Sequence, residues 1–278
     1  MKEKHSIGGQ AVIEGVMMRS QNRLAISVRK KGEIITKKEN IKKRTGILRW
    51  PLIRGIVNLV DMMVVGIKAL NWSADQQLGK KEKISKWEFF YVLAASMGFV
   101  ILFFIVLPYY LTTFVSKNQG VLFNLVDGMI RIALFLAYLL LISSMKDVKR
   151  LFQYHGAEHK AVNCFEAGKK LSMENIKKYP TIHKRCGTTF ILIVFMISII
   201  VFSFIFSSRW YINIPLRISL MPVIAGISYE ILKFSAKYDN IFTYILTLPG
   251  IWLQKLTTKE PTDRQIEVAV KSLKAVVR

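Results

Sequence analysis

Long apolar runs separated by polar, basic stretches set the organisation of this chain. Phe89 to Ser116 contains no Asp, Glu, Lys, Arg or His, and at about 1.5 Å per residue it exceeds the roughly 30 Å hydrocarbon core of a bilayer. A second charge-free run, Phe190 to Ser208, is near the minimum crossing length and is closed by Arg209. Residues 121 to 145 reach across if Asp127 and Arg131 are tolerated, and their i, i+4 spacing lets them pair on one helix face. Ile212 to Leu232 carries Pro215, Arg217, Pro222 and Glu230, yet its centre is apolar and its charges lie near the ends, where arginine snorkels. The pattern predicts a mainly α, polytopic helical membrane protein of about four spans.

The remaining segments have shorter periods. Residues 1–50 read as a basic, β-rich segment. Ala11 to Met18, Leu24 to Val28 and Ile34 to Thr36 are β-favouring runs, the last two joined through Gly32 as a hairpin. Residues 51–88 read as an amphipathic helix and a Lys-rich linker. Pro51 suits a first helical position, and Arg54, Asp61 and Lys68 recur every seven residues among apolar neighbours, which favours a place on the membrane surface over one across the spans. Spans 1 and 2 occupy 89–145, a polar loop 146–189, and spans 3 and 4 190–233. In the tail, 234–278, Ile241 to Leu253 is too short to cross and is expected to break at Pro249-Gly250 into an interfacial or re-entrant segment. Thr262 and Gln265 then fit a capping box that opens a surface helix carrying Ile266, Ala269, Val270, Leu273 and Val277.

Charge is read against this topology. Of 41 basic residues, 19 fall in 1–88, 10 in 146–189 and 8 in 233–278, segments that emerge on one side if four spans alternate. The positive-inside rule puts that side, with both termini, in the cytoplasm, and makes the cytoplasmic (plasma) membrane the expected location. The formal charge of +23 then has a topological origin, which argues against nucleic acid and for anionic lipid headgroups as partners. A cytoplasmic protein partner and a homo-oligomer stay open. No 7 to 15 residue apolar core of a cleavable signal stands in Met1 to Trp50, so the first span is expected to serve as an uncleaved signal. The two cysteines, Cys164 and Cys186, fall in a reducing compartment and are not expected to pair.

Candidate chemistry concentrates in the 146–189 loop, which holds three of the four histidines and both cysteines. His155-Gly156-Ala157-Glu158-His159 places two imidazoles one helical turn apart with a carboxylate beside them. This is the H-x-x-E-H pattern, in which two His hold Zn²⁺, or another divalent metal, and Glu acts as base. A catalytic zinc ordinarily has three protein ligands and one open position. Glu166 lies about 16 Å from His155 along a straight helix, and Cys164 points off the ligand face. His183 or Cys186, arriving from another element, is therefore the expected third ligand. Elsewhere, Asp127 with Arg131 reads as a packing pair in preference to a transport site, Glu230 as an interfacial anchor or a distant metal or proton ligand, and Glu14 as a solvated edge position in a strand in preference to a site residue. Met17, Met18, Met62 and Met63 are gap-filling apolar residues.

Gly8 to Arg19, Arg54 to Leu70, Tyr154 to Lys160, His183 to Phe190, Pro249 to Trp252 and Leu256 to Pro261 resemble the YqhQ family of uncharacterised bacterial membrane proteins, domain of unknown function 1385. The resemblance covers nearly the whole chain. It implies a metal-dependent enzyme without an established reaction, and it falls on His155, Glu158, His159, His183 and Cys186. Three functions follow as expectations. The first is a membrane-embedded metal-dependent hydrolase at the cytoplasmic face, with Glu158 polarising water. The second is a non-enzymatic scaffold with a closed zinc shell of His155, His159, His183 and Cys186. The third is a small transporter using Asp127, Arg131 and Glu230.

Overall fold

The computed structural model describes residues 7–41, 53–78, 85–116, 120–205, 209–238 and 240–277. Pro51 lies outside them. The N-terminal strands β1 (Gly8–Val12), β2 (Gly15–Arg19), β3 (Arg23–Lys30) and β4 (Glu33–Asn40) form one antiparallel sheet in sequence order. The run expected as one strand, Ala11 to Met18, is two. The chain reverses at Ile13 and Glu14 so that Val12 pairs with Gly15, and Glu14 adopts φ 54° in the turn. That left-handed conformation is unfavourable for a non-glycine residue, and here Arg150 Nη2 donates to the Glu14 carboxylate at 2.6 Å. The Gly32 hairpin forms as expected, with Lys31 and Gly32 both at positive φ.

Near-continuous apolar character in β2 and β3 marks a sheet covered on both faces. Val12, Met17, Leu24, Ile26 and Val28 pack against Ala69 of α1 (Ile53–Gln77). Val16, Met18 and Ala25 pack on the opposite side against α5 (Lys146–Glu166) and α10 (Asp263–Val277). The C-terminal helix, expected on the surface, thus buries Ile266, Ala269 and Leu273 against the sheet, and Gln265 Oε1 accepts from Thr262 N at 2.8 Å at its start. Helix α1 leaves Val60, Met63 and Val64 exposed but is fixed at both ends. Its charged stripe meets protein partners, Asp61 with Arg19 at 2.7 Å and Arg54 Nε with Glu230 at 2.7 Å.

Three helical rods, Trp87–Val115, Val121–Ser143 and Trp210–Ser235, are long and apolar enough to cross a membrane. The first joins α2 (Lys86–Ile101) to α3 (Leu107–Val115) through a π turn at Leu102–Val106. Pro108 follows directly, and its ring would clash with the carbonyl four residues back in a regular helix, so the wider turn relieves the conflict. The second rod is α4 (Val121–Ser143) and the third belongs to α8 (Trp210–Lys237). The run expected as a span from Phe190 to Ser208 forms the shorter apolar helix α7 (Gly187–Phe202), 16 residues long. The loop between α5 and α7 holds only the short α6 (Met173–Lys177). Helix α9 (Ile241–Thr257) runs unbroken through Pro249. Gly250 serves contact rather than termination, because a Cβ there would stand 2.5 Å from Thr189 Cα of α7.

Polar groups lock the spans where the sequence predicted snorkelling. Arg217 is fully buried, its Nη1 donating to Asp127 Oδ2, its Nη2 to Asn124 Oδ1 and its Nε to Asn213 Oδ1, each at 2.7 Å. Arg131 Nη2 donates to the same Asp127 oxygen at 2.7 Å and its Nη1 to Ser198 Oγ at 3.1 Å. The expected Asp127–Arg131 pair is therefore a triad of two cations on one carboxylate, stacked on Phe202 at 4.9 and 5.2 Å. Arg217 has all three guanidinium nitrogens bonded within the bundle, which makes its burial cheaper than reaching for water, while Arg131 Nε and Asp127 Oδ1 are buried without a hydrogen bond among the described residues.

This stoichiometry gives a test. Asp127→Asn leaves two guanidiniums without an anion and is expected to cost about 3–5 kcal/mol, more than Arg131→Leu, which leaves a neutral pair. Thermal unfolding in detergent should rank them so, and adding Arg131→Leu to Asp127→Asn should recover stability. A smaller loss for Asp127→Asn contradicts the charge count.

Candidate metal centre

Helix α5 carries His155, Glu158 and His159 on one face, as their i, i+3, i+4 spacing requires. What organises them comes from elsewhere in the chain. Gly156 has no side chain because Lys259 O lies where its Cβ would be, and Lys259 N donates to Phe152 O at 3.0 Å. This contact lays the end of α9 along α5 and brings Thr257 O to 2.8 Å from His155 Nδ1. His159 Nδ1 meets Thr181 O at 2.6 Å. A carbonyl only accepts, so both Nδ1 atoms carry the proton and both Nε2 atoms keep a free lone pair. Burial holds His159 well below the ordinary histidine pKa, in the neutral form a metal requires.

Cys186 caps α7, and its Sγ lies 3.3 Å from His155 Nε2. Ligand atoms of His155, His159 and Cys186 all fall within 4.8 Å of one another, against about 3.3–3.6 Å between neighbouring ligands around a tetrahedral zinc. Burial pushes the Cys186 thiol up to about 11, opposed by hydrogen bonds from Thr188. A cation beside it reverses that preference.

Glu158 stands next to this trio, its Oε2 3.5 Å from His159 Nε2. Burial raises its pKa, while His155 and His183 draw it down. Gly9 of β1 makes room for it, since a Cβ at that position would stand 2.7 Å from Glu158 Oε1. The carboxylate opens on a cavity of about 240 Å³, walled by Leu59 and Met62 of α1, Phe190 of α7, and Tyr229 and Leu232 of α8.

His183, one of the two residues expected as third ligand, is engaged otherwise. Its Nε2 lies 3.3 Å from Glu166 Oε2 and its Nδ1 accepts from Arg185 N at 3.3 Å. Its ring centre is 5.7 Å from that of His159, so it flanks the trio with both nitrogens occupied. Glu166, which also pairs with Arg185, serves His183 rather than the trio. Cys164 is buried, free and turned towards Lys170 O at 3.7 Å. Glu14 faces Arg150 and Tyr154, Glu230 faces Arg54, and Asp127 with Arg131 belongs to the span triad. Sequence reasoning missed Gln254, fully buried in α9. Its Oε1 accepts from His183 N at 2.8 Å and its Nε2 donates to His183 O at 3.0 Å. The signal was one amide directly after the largely apolar run Ile241 to Leu253.

The family model described as "Protein of unknown function (DUF1385)" matches residues 50–278. The chain belongs to this family. It is also 32% identical over 301 aligned positions to the Bacillus subtilis (strain 168) protein named "Uncharacterized protein YqhQ", the alignment covering 99% of this chain and 94% of the relative. No solved structure matches. The family span begins after the sheet, so the Gly9–Glu158 contact joins a segment outside the matched region to one inside it.

The glycine contacts can be checked by substitution. Gly156→Ala forces the Lys259 main chain away from α5 and is expected to cost about 1–3 kcal/mol in thermal unfolding. Gly8→Ala, whose Cβ meets nothing within 4 Å, should change stability by less than about 0.5 kcal/mol. Equal effects would remove the role assigned to Gly156.

Proposed function

We propose that this protein is a membrane-embedded, metal-dependent hydrolase whose site opens at the cytoplasmic face of the plasma membrane. One observation carries the reading. Three ligand atoms converge while the fourth candidate, His183, has both ring nitrogens committed, which leaves a coordination position beside Glu158. A closed structural shell of four protein ligands would need His183 released from Glu166 and Arg185.

The donor set fits the group. Two imidazoles with Nδ1 anchored on main-chain carbonyls and one thiol are the mixed nitrogen and sulfur ligands that zinc prefers. When bound, zinc supplies Lewis acidity to a water and to the carbonyl under attack. The chain's residues supply the rest. Thr257 O and Thr181 O fix ring orientation and raise the basicity of each Nε2. Glu158 accepts a proton from the attacking water and returns it to the leaving group. Leu59, Met62, Phe190 and Leu232 exclude bulk water and accept apolar substrate. The cytoplasmic assignment is supported by the described basic residues of the sheet, α5 and α10, elements that pack into one layer.

Metal content by mass spectrometry of protein purified without chelator tests this reading. Wild type, Glu158→Gln and His183→Ala should carry about one zinc, and His155→Ala, His159→Ala and Cys186→Ser should lose it by about 10-fold or more in affinity. Retention in all three ligand variants, or no uptake by wild type, would sink the proposal. Loss in His183→Ala as well would favour a closed structural site.

A further inference from the structure

The hairpin register decides which main-chain groups of β1 are free. Val12 and Gly15 close the turn as a hydrogen-bonded pair, so Val12, Gln10 and Gly8 face β2 with both N–H and C=O. The alternate residues, Gly9 and Ala11, direct theirs outward. Two contacts agree with this parity. Glu14 O accepts from Arg29 N at 2.8 Å, which assigns the even positions of β2 to β3. Ile13 N, next in the outward series, donates to Ser73 Oγ at 3.2 Å. At Gly9 and Ala11 no such partner stands among the described residues.

β1 is one of the two edge strands of the sheet, β4 being the other. Native edges are ordinarily covered, bulged, or blocked by proline or charge, and Gly8 to Val12 has no proline, charge or bulge. Its first residues, exposed Gly8 and half-buried Gly9, line with the buried Ile7 before them the cavity that holds His155, Glu158, His159 and Cys186. A Cβ on Gly9 would stand 2.7 Å from Glu158 Oε1, so the strand passes close to that carboxylate. A strand added to this edge lies about 4.8 Å away and passes alongside Glu158.

We propose that the free edge of β1 binds an extended peptide as an additional strand, pairing with Gly9 and Ala11 and laying one peptide bond against Glu158 and the His155–His159–Cys186 site. The proposal rests on the hydrolase reading and names its substrate class. Alternating N–H and C=O groups about 6.6–6.8 Å apart are the recognition pattern of another polypeptide backbone, and a lipid tail has nothing to match them. Leu59, Met62, Phe190 and Leu232 face the substrate side chains, which selects apolar residues. In the reaction water adds to the peptide carbonyl and the C–N bond breaks. Glu158 takes the water proton and delivers it to the departing amine, so no redox partner is needed.

Zinc-loaded full-length protein in lipid nanodiscs is incubated with a peptide library made by chymotryptic digestion of bacterial membrane proteins, and new termini are read by mass spectrometry. The best-cleaved sequence is then synthesised unmodified and with backbone N-methyl groups at either alternate set of positions. One set should lower cleavage about tenfold, as expected for loss of backbone hydrogen bonds, and the other should not. With Glu158→Gln protein, the unmodified peptide should slow amide exchange of residues 7–12 by a similar factor. Equal effects of the two N-methyl sets, or unchanged exchange in 7–12, overturn strand pairing, and Glu158-dependent cleavage would still uphold the hydrolase. Cleavage and protection both absent from a zinc-containing protein overturn peptide as the substrate class. If wild type holds no zinc the hydrolase reading fails, and library-induced protection of 7–12 in the metal-free protein alone then supports or overturns the peptide edge.

Discussion

Two main-chain carbonyls carry the site. Thr257 O and Thr181 O each accept an Nδ1 proton, and that fixes which nitrogen of His155 and His159 faces inward. Reversing either ring would put an N–H where a lone pair is needed. Because the acceptors are backbone atoms on separate segments, the site exists only if the end of α9 and the 178–186 loop are both packed on α5. Gly156 and Gln254 supply that packing, the first by absence of a side chain and the second by clamping both main-chain groups of His183.

The architecture follows from the same need. A sheet with two apolar faces requires cover on both sides, and α1 supplies one side while α5 and α10 supply the other. Helix α1 also reaches α8, where Gly55 lies against the Gly226 main chain and Asn58 Nδ2 donates to Tyr229 OH at 3.0 Å. The cavity occupies the angle between this sheet layer and the emerging spans. Its polar floor therefore comes from the layer and its apolar walls from α1, α7 and α8. Within the spans, the Asp127, Arg131 and Arg217 triad ties α4 and α8 together, and Ser198 of α7 joins it.

Much of this was legible in the chain. The first span followed from charge-free length, the Gly32 hairpin from its turn residues, and the shared face of His155, Glu158 and His159 from helical spacing, whereas the charge-free run Phe190 to Ser208 gave only the 16-residue α7 and the other two candidate spans carry charges. The Ile13–Glu14 reversal was hidden because Glu14 takes a positive φ that its residue type does not advertise. Pro249 misled because a helix packed on both sides tolerates a proline that an isolated one would not. Arg217 read as an interfacial cation because its partners, Asp127 and Asn124, lie some ninety residues away. The choice between Cys186 and His183 had the same difficulty. Spacing brought both into range, and they are separated by contacts that spacing does not show, Cys186 Sγ with His155 Nε2 and His183 with Glu166 and Arg185.

The most direct measurement is zinc-edge X-ray absorption on protein purified without chelator. The account predicts one sulfur at about 2.3 Å and three nitrogen or oxygen neighbours at about 2.0–2.1 Å, with imidazole scattering from two rings. A shell with no sulfur, or with a third imidazole filling the position beside Glu158, would contradict it.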